Sequence, residues 1–218
     1  MLRFILLFVF FISRDFYGQS MLAYFKKLPP ECTPYLNKQE RKILLKNGAY
    51  TIPSGNSTDT EQYTLDTTTV EDYLRYEYAF TTWQRAFFVF ELRKFTKKNG
   101  KSFLVYSKYG GLPASYMQYE LRILQLGKKK QLTENYPQNL LPEEIPLTEF
   151  LKKETPDSLR SKIEQAVNRC YDLDGEKNKI AYGIYTQYDT EQIAPWLTGT
   201  LFIFRWNGES FDSVLTSE

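Results

Sequence analysis

The most regular pattern in the chain is an alternation of apolar and more polar residues between positions 73 and 126. In its first part, Leu74, Tyr76, Tyr78 and Phe80 occupy every second position. A repeat of two residues is typical of a β-strand that buries one face. Four such strands are predicted, at residues 73–80, 85–95, 102–106 and 117–124. Because short connections usually join neighbouring strands, the sequence predicts an antiparallel meander.

Weaker signals on both sides of the meander complete the predicted fold. Residues 62–70 favour an edge strand, and prolines separate two short helical segments at 22–27 and 37–46. Further strands are predicted at residues 179–188, 201–206 and 211–214. The sequence therefore predicts an α+β fold with a single curved antiparallel sheet of about seven or eight strands.

One amphipathic helix, at about residues 156–170, is expected to pack on this sheet. Thr155 and Pro156 have the residue types of an N-cap and a first helical position. Leu159, Ile163 and Val167 then recur at helical spacing. The sequence predicts that these apolar positions face the sheet.

The first twenty residues have the pattern of a signal peptide. Arg3 precedes an unbroken apolar run at residues 4–12, and Gly18 and Ser20 provide small residues before a cleavage site at Met21. The run is too short to cross a bilayer, which requires about 20 apolar residues. We therefore expect a signal peptide at 1–20, a single domain at 21–218, and a periplasmic or secreted protein with no transmembrane span after cleavage. The alternatives are an internal core strand, an uncleaved anchor, and translation from Met21, which would give a cytosolic protein.

Composition excludes several classes of function. The net charge is +2, and +1 without residues 1–20, so no basic surface for nucleic acid is expected. The chain has no histidine, which removes histidine triads and histidine-ligated metals. No phosphate-binding or dinucleotide-binding motif is present, and we predict no catalytic residues, no metal site and no cofactor.

The two cysteines, Cys32 and Cys170, allow two interpretations. In an exported protein they can form a disulfide that joins the N-terminal segment to the predicted late helix. The alternative is two separately buried thiols, because distance along the chain says nothing about distance in space.

Charged residues on the predicted strands suggest ion pairs. Glu77, Glu91 and Glu120 alternate with arginines at the same spacing. Pairing between neighbouring strands on the solvent face is the simpler interpretation, although two carboxylates in a cleft can hydrolyse a glycan without histidine. Trp83 and Trp196 lie near expected strand ends, and they are the predicted binding residues because exposed aromatic rings stack on sugars.

Two short sets of residues resemble known exported proteins. They are Leu28-Pro29 followed by Pro34-Tyr35-Leu36 and Arg41, and the terminal Phe204-Arg205-Trp206-Asn207-Gly208. The first resembles the opening of a family of exported domains of unknown function that is common in Bacteroidota, and the second resembles endings of periplasmic proteins from those bacteria. The resemblance implies a short helical start followed by a β-rich body, and no site residues.

The expected function is that of a non-catalytic, exported cell-envelope protein that binds a protein or glycan partner. The export signal, the missing catalytic groups and an aromatic content of 17% motivate this expectation. The alternatives are a periplasmic immunity or inhibitor protein and a histidine-free carboxylate glycan hydrolase.

Overall fold

The computed structural model describes residues 21–33, 36–53, 60–66, 72–80, 86–126, 132–133, 138–186 and 190–216. The predicted signal peptide, the Pro34–Tyr35 part of the resemblance and Trp83 lie outside these residues. None of the described helices is long and apolar enough to span a membrane.

Two short helices open the described chain, as the sequence predicts. Helix α1 spans Met21–Phe25 and helix α2 spans Lys38–Asn47, with a 3₁₀ turn at Pro30–Cys32 between them. Helix α2 begins with a capping box, in which Asn37 Oδ1 accepts hydrogen bonds from two backbone amides and Glu40 accepts one from the Asn37 amide. It ends at Gly48, whose φ of 73° lies in the left-handed region.

The centre of the fold is a seven-stranded antiparallel sheet in which each strand pairs with the next along the chain. Its strands are β1 (Ala49–Pro53), β2 (Thr60–Asp66), β3 (Tyr73–Phe80), β4 (Phe87–Thr96), β5 (Ser102–Leu112), β6 (Ser115–Leu126) and β7 (Leu132–Thr133). The predicted α+β class and antiparallel meander are confirmed. Strands β1 and β7 were not predicted, because each is short and lacks a clear alternation.

The later strands form a second sheet and do not extend the first. Its strands are β8 (Val167–Asp172), β9 (Lys179–Thr186), β10 (Leu201–Trp206) and β11 (Phe211–Thr216), in the order β11-β10-β9-β8. Helices α3 (Asp157–Ala166) and α4 (Thr190–Ile193) precede β8 and β10. The described chain thus contains two antiparallel sheets where the sequence suggested one.

Helix α3 is shorter than the predicted helix, which extended to residue 170. The chain becomes extended at Val167, and Asn168 and Cys170 are buried on the same side of β8. The β-branched Val167 favours this change, because its side chain is restricted in a helix. The start of the helix also differs, since the Thr155 hydroxyl donates to the Lys152 carbonyl and makes no cap.

Two apolar clusters cover the two faces of the large sheet. Phe95 and Phe103 meet Trp206 and Tyr171 between the two sheets, and Ile163 of α3 joins the same cluster. On the opposite face, helices α1 and α2 pack against the sheet in a cluster that includes Phe25, Leu44, Tyr76 and Phe90. The large sheet is therefore the middle layer of three.

A β-bulge interrupts the pairing of β5 with β6. Lys108 pairs with Glu120 and Tyr109 pairs with Gln118, which leaves Tyr119 as an extra residue in β6. The alternation in the sequence predicts Tyr119 on the same face as Leu121. Instead, Leu121 packs on the cluster between the sheets, whereas the Tyr119 ring lies 5.5 Å from that of Phe88, on the other face. One inserted residue thus reverses the faces of β6 on either side of the bulge.

Candidate functional site

The candidate site is a cleft of about 470 Å³ between β6 and the beginning of β8. One wall is formed by consecutive residues of β6, from Tyr116 to Arg122. Val167 and Arg169 of β8 form the other wall, together with Glu143 and Glu144 of the preceding loop. The cleft therefore has a β-strand along its length.

The β6 wall of this cleft is largely an open strand edge. Strand β6 pairs with β5 on one side, whereas β7 pairs on the other side only with Gln125 and Leu126. Among the described strands, none pairs with residues 115–124 of β6 on this outer side, although side chains occupy two of its backbone groups, the Tyr116 amide (Asn168) and the Glu120 carbonyl (Gln118). An open edge presents backbone donors and acceptors at strand spacing, which suits a further extended chain.

Two side-chain amides bridge β6 and β8 where the strands approach each other. The Tyr116 amide donates to Asn168 Oδ1 at 2.9 Å, and the Tyr171 amide donates to Gln118 Oε1 at 2.8 Å. Gln118 Nε2 also donates to the Ser107 hydroxyl at 3.1 Å. These bonds fix β8 across the end of the large sheet and so determine the width of the cleft.

Ion pairs surround the cleft. Arg122 Nε lies 3.1 Å from a Glu120 oxygen, and Arg169 contacts Glu144 at 3.1 Å and also Glu164. Each wall therefore carries groups of both signs. A partner with charges of both signs matches such a rim better than a uniformly charged one.

Exposed apolar side chains lie beside the cleft, at the hairpin of β5 and β6. The exposed fractions are 54% for Leu112, 58% for Met117 and 48% for Tyr119. The Lys108 ammonium lies 5.7 Å from the centre of the Tyr119 ring and 5.5 Å from that of Phe88. We call Leu112, Met117 and Tyr119 the hairpin patch.

A buried polar cluster lies behind the cleft, between the two sheets. Its centre is Glu91, which is fully buried. Its carboxylate accepts a hydrogen bond of 2.6 Å from the Tyr73 hydroxyl and one of 3.1 Å from the Leu173 amide, and Arg75 lies 3.7 Å away. Burial, and then the charge of Asp172, raise the pKa of Glu91 to about 7.

This arrangement corrects the predicted solvent-face pairing. Glu91 does pair with Arg75 on the neighbouring strand, but both Glu91 and Arg93 are buried. Arg93 donates to the Leu173 carbonyl at 3.3 Å, so the cluster connects β4 to the segment after β8. Glu91 does not line the described cleft. It instead joins the two sheets through its contacts with Tyr73 and Leu173.

The structure places only one of the two predicted tryptophans. Trp196 is half-buried in a 3₁₀ turn at Ala194–Trp196 and packs against the apolar cluster between the sheets. Trp83 lies outside the described residues. Trp206 is buried and donates its indole hydrogen to the Thr96 carbonyl.

The two cysteines are both present as buried thiols. Cys32 lies in the cluster beneath the helices, whereas Cys170 lies on β8 of the second sheet. A disulfide needs Cα atoms about 4.4–6.8 Å apart, which opposite sides of a sheet do not provide. This placement favours the interpretation of separate thiols. Burial also raises the pKa of Cys170.

The residues that form the cleft were missed by sequence reasoning. Gln118 and Asn168 are ordinary polar residues in the sequence, and only the fold brings them together. The exposure of Met117 and Tyr119 follows from the bulge, which the alternation of residues 117–124 conceals. The sequence signal for an irregularity at this end of the hairpin is Gly110-Gly111, because glycines inside a strand pattern often mark a bulge or a close backbone approach.

Groups of three or more potential metal ligands are absent from the part of the chain that the structure describes. No protein-family model matches the sequence, and comparison with curated proteins finds no match. The fold is similar to that of a domain of an uncharacterized protein from Porphyromonas gingivalis W83, with a TM-score of 0.55 and 12% sequence identity. The similarity covers 89% of this chain and 97% of the other, so the two chains share a fold over nearly their whole lengths.

Proposed function

We propose that this chain is a non-catalytic, periplasmic or secreted protein of the cell envelope that binds a partner protein through the β6 cleft. The observation that carries the proposal is the edge of β6 over residues 117–124, which no described strand pairs on its outer side, at the cleft and beside the hairpin patch. Backbone groups of such an edge supply binding energy, and neighbouring side chains supply selectivity.

A protein fits the geometry better than a glycan. Trp196, one of the two tryptophans expected to stack on sugars, packs on the core. The exposed groups at the cleft are instead a strand edge, apolar side chains and ion pairs of both signs. This mixture resembles protein interfaces, in which apolar contacts are surrounded by a polar rim.

Site-specific photocrosslinking tests the proposal. A photoreactive residue replaces Met117 in the chain that begins at Met21, and the protein is incubated with envelope extract from its own source. Val214 is the matched control, because it is an exposed apolar strand residue, at 61%, on β11 of the second sheet. A discrete crosslinked protein at position 117 alone is expected. No product at 117, or the same products at both positions, contradicts the proposal.

A further inference from the structure

A second concave surface lies far along the chain from the β6 cleft, between the N-terminal 3₁₀ turn and α2. It is a groove of about 710 Å³. Pro30, Leu36 and Leu45 provide its apolar surface, and Lys26, Lys38 and Lys42 contribute basic side chains. Its volume is in the range of about 300–1,000 Å³ that small-molecule sites occupy.

The charge around this groove is strongly one-sided. Residues 21–48 contain six basic and two acidic residues, whereas the whole chain has a net charge of only +2. No acidic residue lines the groove in the part of the chain that the structure describes. One of the two acids, Glu40, bonds the Asn37 amide at 2.7 Å as part of the helix cap. The groove thus combines an apolar surface with cations that no lining carboxylate neutralises.

Arg41 holds the wall of the groove in place. Its Nη1 donates to the Leu28 carbonyl at 3.1 Å, Nη2 contacts the Thr33 hydroxyl, and the guanidinium lies 5.8 Å from the centre of the Phe25 ring. Its Nε is buried and has no hydrogen-bond partner in the described part of the chain. The groove is therefore part of the packed N-terminal layer, and the buried Arg41 Nε is not presented to a ligand.

We propose that this groove binds a free fatty acid. The acyl chain lies along Pro30, Leu36 and Leu45, and the carboxylate lies beside Lys38 and Lys42 on α2. Burial of the acyl methylene groups favours binding, and the lysines favour an anionic over a neutral head. A single acyl chain fits the volume of about 710 Å³, whereas a bilayer surface does not enter a groove. This inference is independent of the β6 cleft.

Calorimetric titration of the chain that begins at Met21 tests the inference. Three twelve-carbon probes are used below their micellar concentrations: laurate, the neutral dodecyl maltoside and the cationic dodecyltrimethylammonium. Saturable binding of laurate, at least roughly tenfold tighter than that of the other two, is expected. Equal binding of all three, or no binding of laurate, overturns the inference.

Charge reversal on α2 locates the site. The double variant Lys38→Glu/Lys42→Glu should bind laurate at least roughly tenfold more weakly. Lys46→Glu is the matched control, because Lys46 lies on the same helix but does not line the groove, and its affinity should stay within about twofold. Circular dichroism confirms folding of each variant. Equal loss in the control, or binding only to vesicles of anionic lipid without binding of free laurate, overturns the assignment.

Discussion

The hydroxyl of Tyr73 donates a hydrogen bond of 2.6 Å to the carboxylate of Glu91, between neighbouring strands and out of contact with solvent. The same carboxylate also accepts from the Leu173 amide, just beyond the end of β8. One buried acid therefore links the large sheet to the chain that leaves the second sheet. The contribution of this link to the free energy of unfolding can be tested by changing Tyr73 or Glu91.

Removal of the Tyr73 hydroxyl should destabilise the protein. Tyr73→Phe deprives a buried carboxylate of a donor while it keeps the ring, and a hydrogen bond to a charged group contributes about 1.5–3 kcal/mol. Urea denaturation at pH 8, above the pKa of Glu91, measures this loss. Tyr119→Phe is the control, because Tyr119 is 48% exposed, and it should change the free energy of unfolding by less than about 0.5 kcal/mol. Equal effects would contradict the proposed link.

The stability of the protein should fall as the pH rises through the titration of Glu91. Its pKa is raised from 4.5 to about 7 in the folded state, so the folded protein retains a proton that the unfolded chain releases. This contribution is complete below about pH 4.5 and is lost as the pH rises through 7, with a slope of at most about 1.4 kcal/mol per pH unit.

Glu91→Gln should remove this pH-dependent part, because an amide does not titrate in the window. Urea denaturation at several values between pH 4.5 and 8 measures the difference between variant and parent. Glu143→Gln, at an exposed glutamate, should leave the slope unchanged. A parental slope that persists in Glu91→Gln would show that another group is responsible.

The bridge at Gln118 should control local opening of β8. Gln118→Ala leaves the Tyr171 amide without its acceptor, and an unsatisfied buried donor costs about 1–3 kcal/mol. Hydrogen exchange at the Tyr171 amide should accelerate, whereas exchange in β3 should change only with global stability. Gln165→Ala, on the exposed face of α3, is the matched control. Unchanged exchange at Tyr171 would contradict a bridging role.

Both cysteines should behave as protected thiols. Cys32 and Cys170 are buried, so an aromatic disulfide reagent should react slowly with the native protein. After denaturation without reductant, the same reagent should react with two thiols per chain. Absorbance of the released thiolate measures both stages. No reaction after denaturation would show that the pair is oxidised and that the predicted disulfide forms.

The sequence was informative where the local pattern and the tertiary environment agree. Alternation located β3, and the Asn99-Gly100 turn located the hairpin of β4 and β5, because both signals are local. Residues 167–170 were misassigned to a helix, since the apolar spacing of Ile163 and Val167 continues into a strand that the second sheet stabilises.

The candidate site was less predictable, because its residues come together only in the tertiary structure. The alternation of Glu91 with apolar neighbours indicates a polar face, but not that a second sheet covers it. Likewise, the pairing offset at Tyr119 depends on β5 and β6 together, and neither strand alone encodes it. The exposure of Glu91 and Tyr119 therefore could not be predicted from either strand alone, because it depends on contacts between elements.

The bulge at Tyr119 also bears on the solubility of the protein. A long, regular, open strand can template identical copies of itself into fibres, and natural sheets resist this with kinks and charged side chains. Strand β6 has both, because the extra residue breaks its pleat in the middle of the open stretch and Glu120 and Arg122 follow immediately. Self-association along the whole strand is thereby disfavoured, while a short foreign segment can still align on one side of the kink.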